Sequence, residues 1–144
     1  MKLALIQPPK IFLVLLLLFT SGPLLAAPKV VNLTDVPVPA SLDGSTLSKA
    51  DVRKAIITAV KDREWIPVIN PKNKDSSIIA SILVRGRHYV EVDITYSQTS
   101  YSITYRNSRE MKYNEEKGTI HKKYNQWINL LSNAIQAELS NRSL

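Results

Sequence analysis

The 144-residue sequence predicts an α+β fold: an antiparallel meander of three to four strands with two helices packed on one face, in the order α-β-β-β-β-α. Three patterns point there. Apolar residues recur at helical spacing near the start and end of the domain, over about 48–63 and 122–140. Between them, apolar and polar residues alternate over 78–84, 90–96 and 101–105. Two helices and a sheet that are each apolar on one side bury those sides together when both helices lie on the same face of the sheet.

Ahead of this domain, residues 1–26 read as a cleavable secretory signal peptide. Lys2 and Lys10 precede the uninterrupted apolar run IFLVLLLLF at 11–19, and Ser21, Gly22 and Pro23 break any helix behind it. The run is far shorter than the roughly 20 residues a helix needs to cross a bilayer, so no stable transmembrane span is expected. Cleavage is expected after Ala26, because a cut after Ala27 leaves Pro28 beside the scissile bond. Leu24 stands where the peptidase prefers a small residue, which keeps an uncleaved inner-membrane signal anchor as the alternative to release into the periplasm or the medium.

Residues 27–47 read as an extended lead-in, since Pro28, Pro37, Pro39 and Gly44 interrupt regular structure, although Val30, Val31, Val36 and Val38 suit an edge strand. The α+β domain then occupies 48–144. Ser48 and Asp51 form a capping-box-like pair, and Leu47 is placed to staple to Val52. The following helix of about 16 residues buries Val52, Ile56, Ala59 and Val60 and is expected to stop before Trp65, because Pro67 cannot continue it. Residues 65–69 (WIPVI) form a short strand that its proline assigns to an edge, and 70–76 (NPKNKDS) a loop.

Ile78, Ala80, Ile82 and Val84 share one parity, as do Val90, Val92, Ile94 and Tyr96. Matching the two sets requires an odd-length Arg85-Gly86-Arg87 turn in place of a two-residue Gly86-Arg87 turn. A second turn at 97–100 sets Tyr96 opposite Tyr101, and Tyr101, Ile103 and Tyr105 continue the apolar face. A short fourth pairing is expected through Met111 and Tyr113. The last helix carries Tyr124, Trp127, Ile128, Leu131, Ala134 and Ile135 on one stripe.

Composition removes several chemistries. The chain has no cysteine, which excludes disulfides, thiolate metal sites, a cysteine nucleophile and a lipid-bearing cysteine. Of 19 basic residues, Lys2 and Lys10 belong to the leader, which leaves 17 against 12 acidic ones in the mature chain, a net charge of +5. On an exported domain that balance suits solubility or contact with anionic envelope polymer better than nucleic acid, and no nucleic-acid partner is expected. The mature chain has only Gly44, Gly86 and Gly118 and no phosphate-cradling motif, so no cofactor is expected. Neither His88 nor His121 has a local partner at metal-binding spacing, so no metal is expected. Glu91 and Asp93 share one strand face, which is polar and open, and no catalytic residue is assigned.

From Val52 to Leu139 the motifs Ala55-Ile56-Ile57, Arg63-x-Trp65, Arg85-x-Arg87-His88, Val92-Asp93-Ile94-x-Tyr96, Ser100-Tyr101-Ser102-Ile103-x-Tyr105, Ile120-His121 and Tyr124-Asn125-x-Trp127-Ile128 stand in order. Taken together, this order resembles that of a family of small uncharacterised proteobacterial periplasmic proteins and lipoproteins. The resemblance implies an envelope location and no particular activity. Lipid anchoring does not carry over, because the lipobox cysteine is missing. Arg63, Arg85, Arg87, His88, Asp93, Ser102 and His121 are the candidate binding or fold-specific polar residues. The expected function is that of an exported, non-catalytic binding or structural module meeting an envelope protein or an anionic envelope polymer. The alternatives are an envelope hydrolase acting on cell-wall material through His88, Asp93 or His121, and a secreted partner-recognition protein.

Overall fold

The computed structural model describes residues 26–144, so the stretch 1–26 expected to be a signal peptide lies outside the described residues apart from its last position. The elements are β1 (Leu33–Pro37), α1 (Lys49–Asp62), β2 (Ile66–Ile69), β3 (Ser77–Val84), β4 (His88–Tyr96), β5 (Ser100–Arg109) and α2 (Lys123–Arg142). The strands make one antiparallel sheet in the order β1-β5-β4-β3-β2, and the buried side chains of both helices join its inner face in a single core. The molecule is the expected α+β fold with one further strand, supplied by the lead-in. Among the described residues no helix is long and apolar enough to cross a membrane.

α1 begins as its sequence dictates. The Ser48 hydroxyl accepts from the Asp51 amide at 3.1 Å and donates to the Asp51 carboxylate at 2.6 Å, while Leu47 and Val52 are both buried. Its end has a different cause from the one expected. Glu64 takes a left-handed conformation (φ 62°), its amide bonds Lys61 O, and the Trp65 amide bonds Val60 O, so a Schellman motif stops the helix before Pro67 is reached. Buried Trp65 and Val60 supply the apolar contact that accompanies this motif.

The β3–β4 register is the one that hydrophobic parity requires: Ile78 pairs with Ile94, Ala80 with Val92, Ile82 with Val90 and Val84 with His88. The three-residue turn this demands is made possible by positive φ at both Arg85 (54°) and Gly86 (63°). Tyr96 pairs with Tyr101, also as expected. β5 contains a bulge, because Val92 pairs with Tyr105 but Glu91 with Asn107, and the extra residue, Arg106, sits on the outer face.

The fourth pairing does not pass through Met111 and Tyr113. Positive φ at Glu110 (56°) and Lys112 (50°) turns the chain off the sheet, and Met111 is buried in the core. β2 and β1 occupy the two sheet edges instead. In β2 the Asn70 amide bonds Ser77 O, so the antiparallel alternation turns the nitrogen of Pro67 to the open edge, where a missing donor costs nothing. β1 covers β5, and the chain before it is docked as well: Val30 N bonds Gly118 O, Ile120 N bonds Pro28 O, and Asn125 of α2 pairs with the backbone of Lys29 and Val31.

Candidate functional site

The β3–β4 hairpin and the segment that leads into α2 meet at one end of the molecule, where they bring together the two histidines. His88 is the first residue of β4, on the core-facing parity, and is half-buried. His121 immediately precedes α2. Burial of Met111 and Ile120 pins the long connection to the core, and the His121 amide bonds Met111 O at 2.8 Å. The two imidazoles end up stacked, with ring centroids 6.1 Å apart and planes 24° from parallel.

Each ring has its proton position set by a backbone group. His88 Nδ1 lies 2.8 Å from Glu110 O, and a carbonyl only accepts, so His88 carries hydrogen on Nδ1 and its Nε2 lone pair is free when the ring is neutral. His121 Nδ1 accepts from the Lys123 amide at 3.2 Å, so its hydrogen resides on Nε2 in the neutral form. That bond also satisfies one of the free amides of the first turn of α2, whose own N-cap side chain makes none. Burial first, then repulsion from His88, Lys112, Lys122 and Lys123, holds His121 below the ordinary imidazole pKa.

The histidines wall a cleft of about 390 Å³, completed by Val84, Arg85, Lys123 and Trp127. Among the described residues no carboxylate or hydroxyl side chain lines it. Arg85 and Lys123 are exposed and stand in none of the ion pairs among the described residues. Glu110, whose carbonyl faces His88, has its carboxylate 3.7 Å from Arg87. Two cations and two imidazoles therefore converge on a cleft that Val84 and Trp127 complete.

The other candidate residues divide between this neighbourhood and plain structural duty. Arg63, at the C-terminus of α1, walls an adjoining depression with Trp65 and Trp127. Arg87 points instead at Glu110. Asp93 lies on the outer face of the sheet, where Arg106 Nη1 donates to both of its oxygens at 2.9 and 3.1 Å and Arg106 Nε sits 3.7 Å from Glu91. The β5 bulge sets that guanidinium between the two carboxylates, which removes the like-charge pair that carboxylate chemistry needs. Ser102 Oγ accepts from the Asp35 amide at 3.0 Å and so fastens β1 to the sheet.

Two members of the cleft escape sequence reasoning. Trp127 counts with the core stripe of α2 by periodicity, yet it is only half-buried, at the margin of the line formed by Tyr124, Ile128, Leu131 and Ile135. Lys123 reads as one of several loop lysines. Elsewhere, a larger but shallower groove of about 430 Å³ runs over Lys49, Arg53, Asp75 and Tyr96; its cations are partly engaged, since Lys49 bonds Ser76 Oγ, and Asp75 supplies its own negative charge. Among the described residues no three His, Asp or Glu side chains gather to hold a metal ion. No family model matches the chain, and neither does any curated protein or solved structure.

Proposed function

We propose that this is an exported envelope protein that binds a small anionic group, free or carried on a larger envelope molecule, in the cleft between His88 and His121. The observation that carries the proposal is the convergence of both imidazoles with Arg85 and Lys123 on a cleft without a single acidic wall residue among those described. Arg85 and Lys123 supply fixed positive charge, His121 carries a donor on Nε2 already in the neutral ring, and His88 gains one on Nε2 once it is protonated. Trp127 and Val84 lower the local dielectric, which strengthens every such contact. Binding takes precedence over hydrolysis because the described walls hold no hydroxyl nucleophile and no carboxylate, and Asp93 is remote from the cleft and neutralised by Arg106. Export rests on the leader alone.

Calorimetric titration of the mature protein with methyl phosphate tests this reading. Arg85→Glu and Lys123→Glu are each expected to weaken binding about tenfold or more, roughly 1.4 kcal/mol. Arg87→Glu makes the same change of net charge just outside the cleft and is expected to act far more weakly. Equal losses from all three substitutions mean that the affinity reflects only overall charge, and would contradict the site.

A further inference from the structure

The cleft does not stop at Trp127. The same indole walls a second depression of about 210 Å³, bounded by Arg63, Ile82 and Leu130 over the buried Trp65. The continuity has its origin in the short edge strand. β2 pairs with β3 only from Ile69↔Ile78 to Ile66↔Ser81, so Ile82 and Val84, which share the core-facing parity of β3, run on beyond it and remain half-buried. Across from them Lys123, Trp127 and Leu130 succeed one another at spacings of four and three along α2, one stripe of about 10 Å of helix. Leu130 is 46% exposed.

Charge is distributed unevenly along this path. Arg85, Lys123 and both histidines crowd one end, and the middle offers Val84, Ile82, Trp127 and Leu130 with no charge among them. At the far end Arg63 stands beside Glu64. One end thus suits an anion and the run behind it suits hydrocarbon. Arg85, Lys123 and His121 Nε2, joined by His88 once it is protonated, match the three terminal oxygens of a phosphomonoester better than the two of a carboxylate.

We propose that the two depressions form one groove and that its occupant is a single-chain amphiphile with a phosphomonoester head group: the phosphate lies among Arg85, His88, His121 and Lys123, and the chain lies along Trp127 toward Leu130. This rests on the anion-binding reading above and adds to it the hydrocarbon that the anion carries. The hydrocarbon adds to the affinity of the head group, because burial of roughly two methylenes is already worth about tenfold.

The test compares methyl phosphate, octyl phosphate and octyl glucoside, each below its micellar concentration, by calorimetry and tryptophan fluorescence on the mature protein. Octyl phosphate is expected to bind at least about tenfold more tightly than either of the others. Trp127→Ala and Leu130→Gln are each expected to remove most of the gain from the octyl chain, and Leu130→Gln, which lies outside the anion cleft, to leave methyl phosphate within about twofold. Leu130 is surface-exposed, so Leu130→Gln decides between the outcomes even if Trp127→Ala fails to fold. Equal affinity for the two phosphates, or a chain-length gain untouched by Leu130→Gln, overturns the groove. Octyl glucoside binding as tightly as octyl phosphate overturns the phosphate end of it. Binding of neither phosphate overturns the anion site itself, so the two failures are distinguishable.

Discussion

Three tyrosines enter the core with their hydroxyls in unlike surroundings. Tyr101 Oη lies 2.8 Å from Ser132 Oγ and accepts from Gln136 Nε2 at 3.3 Å, which ties β5 to α2. Tyr96 and Tyr124 are as deeply buried, yet neither hydroxyl has a partner among the described residues. Burial raises the pKa of both, and at Tyr124 the neighbouring Tyr105 and Tyr113 add to the effect. An unmet hydroxyl costs stability, whereas a bonded one contributes. Tyr101→Phe is therefore expected to lower stability by about 1–2 kcal/mol, and Tyr124→Phe to leave it unchanged or raise it by up to about 1 kcal/mol, read from denaturant midpoints. A larger loss from Tyr124→Phe than from Tyr101→Phe would contradict this assignment.

His121 joins stability to pH at the same scale. Its Nδ1 must stay unprotonated to accept from the Lys123 amide, and burial together with His88, Lys112, Lys122 and Lys123 keeps its pKa below the ordinary 6.5. Between the lowered folded value and 6.5 the unfolded chain holds a proton that the native protein lacks, so stability rises with pH through that window. The contribution is complete above about pH 6.5 and is lost as pH falls through the folded value. Denaturation midpoints measured from about pH 7.5 to 5 are expected to fall for the native sequence and to fall less for His121→Asn, which caps without titrating. Identical slopes for the two proteins would show that His121 does not carry the effect.

At the scale of elements, much of the fold is legible because parity is a strong constraint. Matching Ile78, Ala80 and Ile82 to Ile94, Val92 and Val90 selects the three-residue turn over the tighter one suggested by Gly86, and the structure has that pairing. What escapes is set by backbone conformation at ordinary residues. Asp35, Glu64, Arg85, Glu110 and Lys112 all take positive φ, which no side-chain pattern announces. Glu64 is the clearest instance: the Schellman motif wants glycine at this position, and the sequence offers glutamate. Glu64→Gly is expected to relieve the left-handed strain, offset in part by the greater freedom of glycine in the unfolded chain, for a net gain of about 0.5–1 kcal/mol. A loss of stability measured by urea titration would argue against that helix end. The β5 bulge is equally silent in the sequence, since Arg106 and Asn107 are both polar and either fits the outer face.

On the scale of the whole molecule, the candidate site is legible only in pieces. Arg85, His88 and His121 stand out by residue type, but nothing in the sequence says that they meet. Their meeting depends on the long connection after β5, which buries Met111 and Ile120 and thereby carries His121 to His88. The amphipathic stripe of α2 hides Trp127 because periodicity cannot tell the centre of a buried face from its margin, and the shortness of β2 decides that this margin stays open. Asp93 and Ser102, grouped with the histidines in the sequence as candidate binding or fold-specific polar residues, sit in the sheet, one paired with Arg106 and the other holding β1.

Whether the cleft takes an anion between its two imidazoles can be read at the rings themselves, from an imidazole ¹H–¹⁵N spectrum of the mature protein titrated with methyl phosphate at about pH 6.5, within the range in which histidine changes charge, and at about pH 8, above it. The Nε2 signals of both His88 and His121 are expected to move together and saturate with one dissociation constant, more tightly at the lower pH, and Arg85→Glu is expected to abolish the shift. Unmoved imidazoles, or shifts that persist in Arg85→Glu, would contradict an anion site in this cleft.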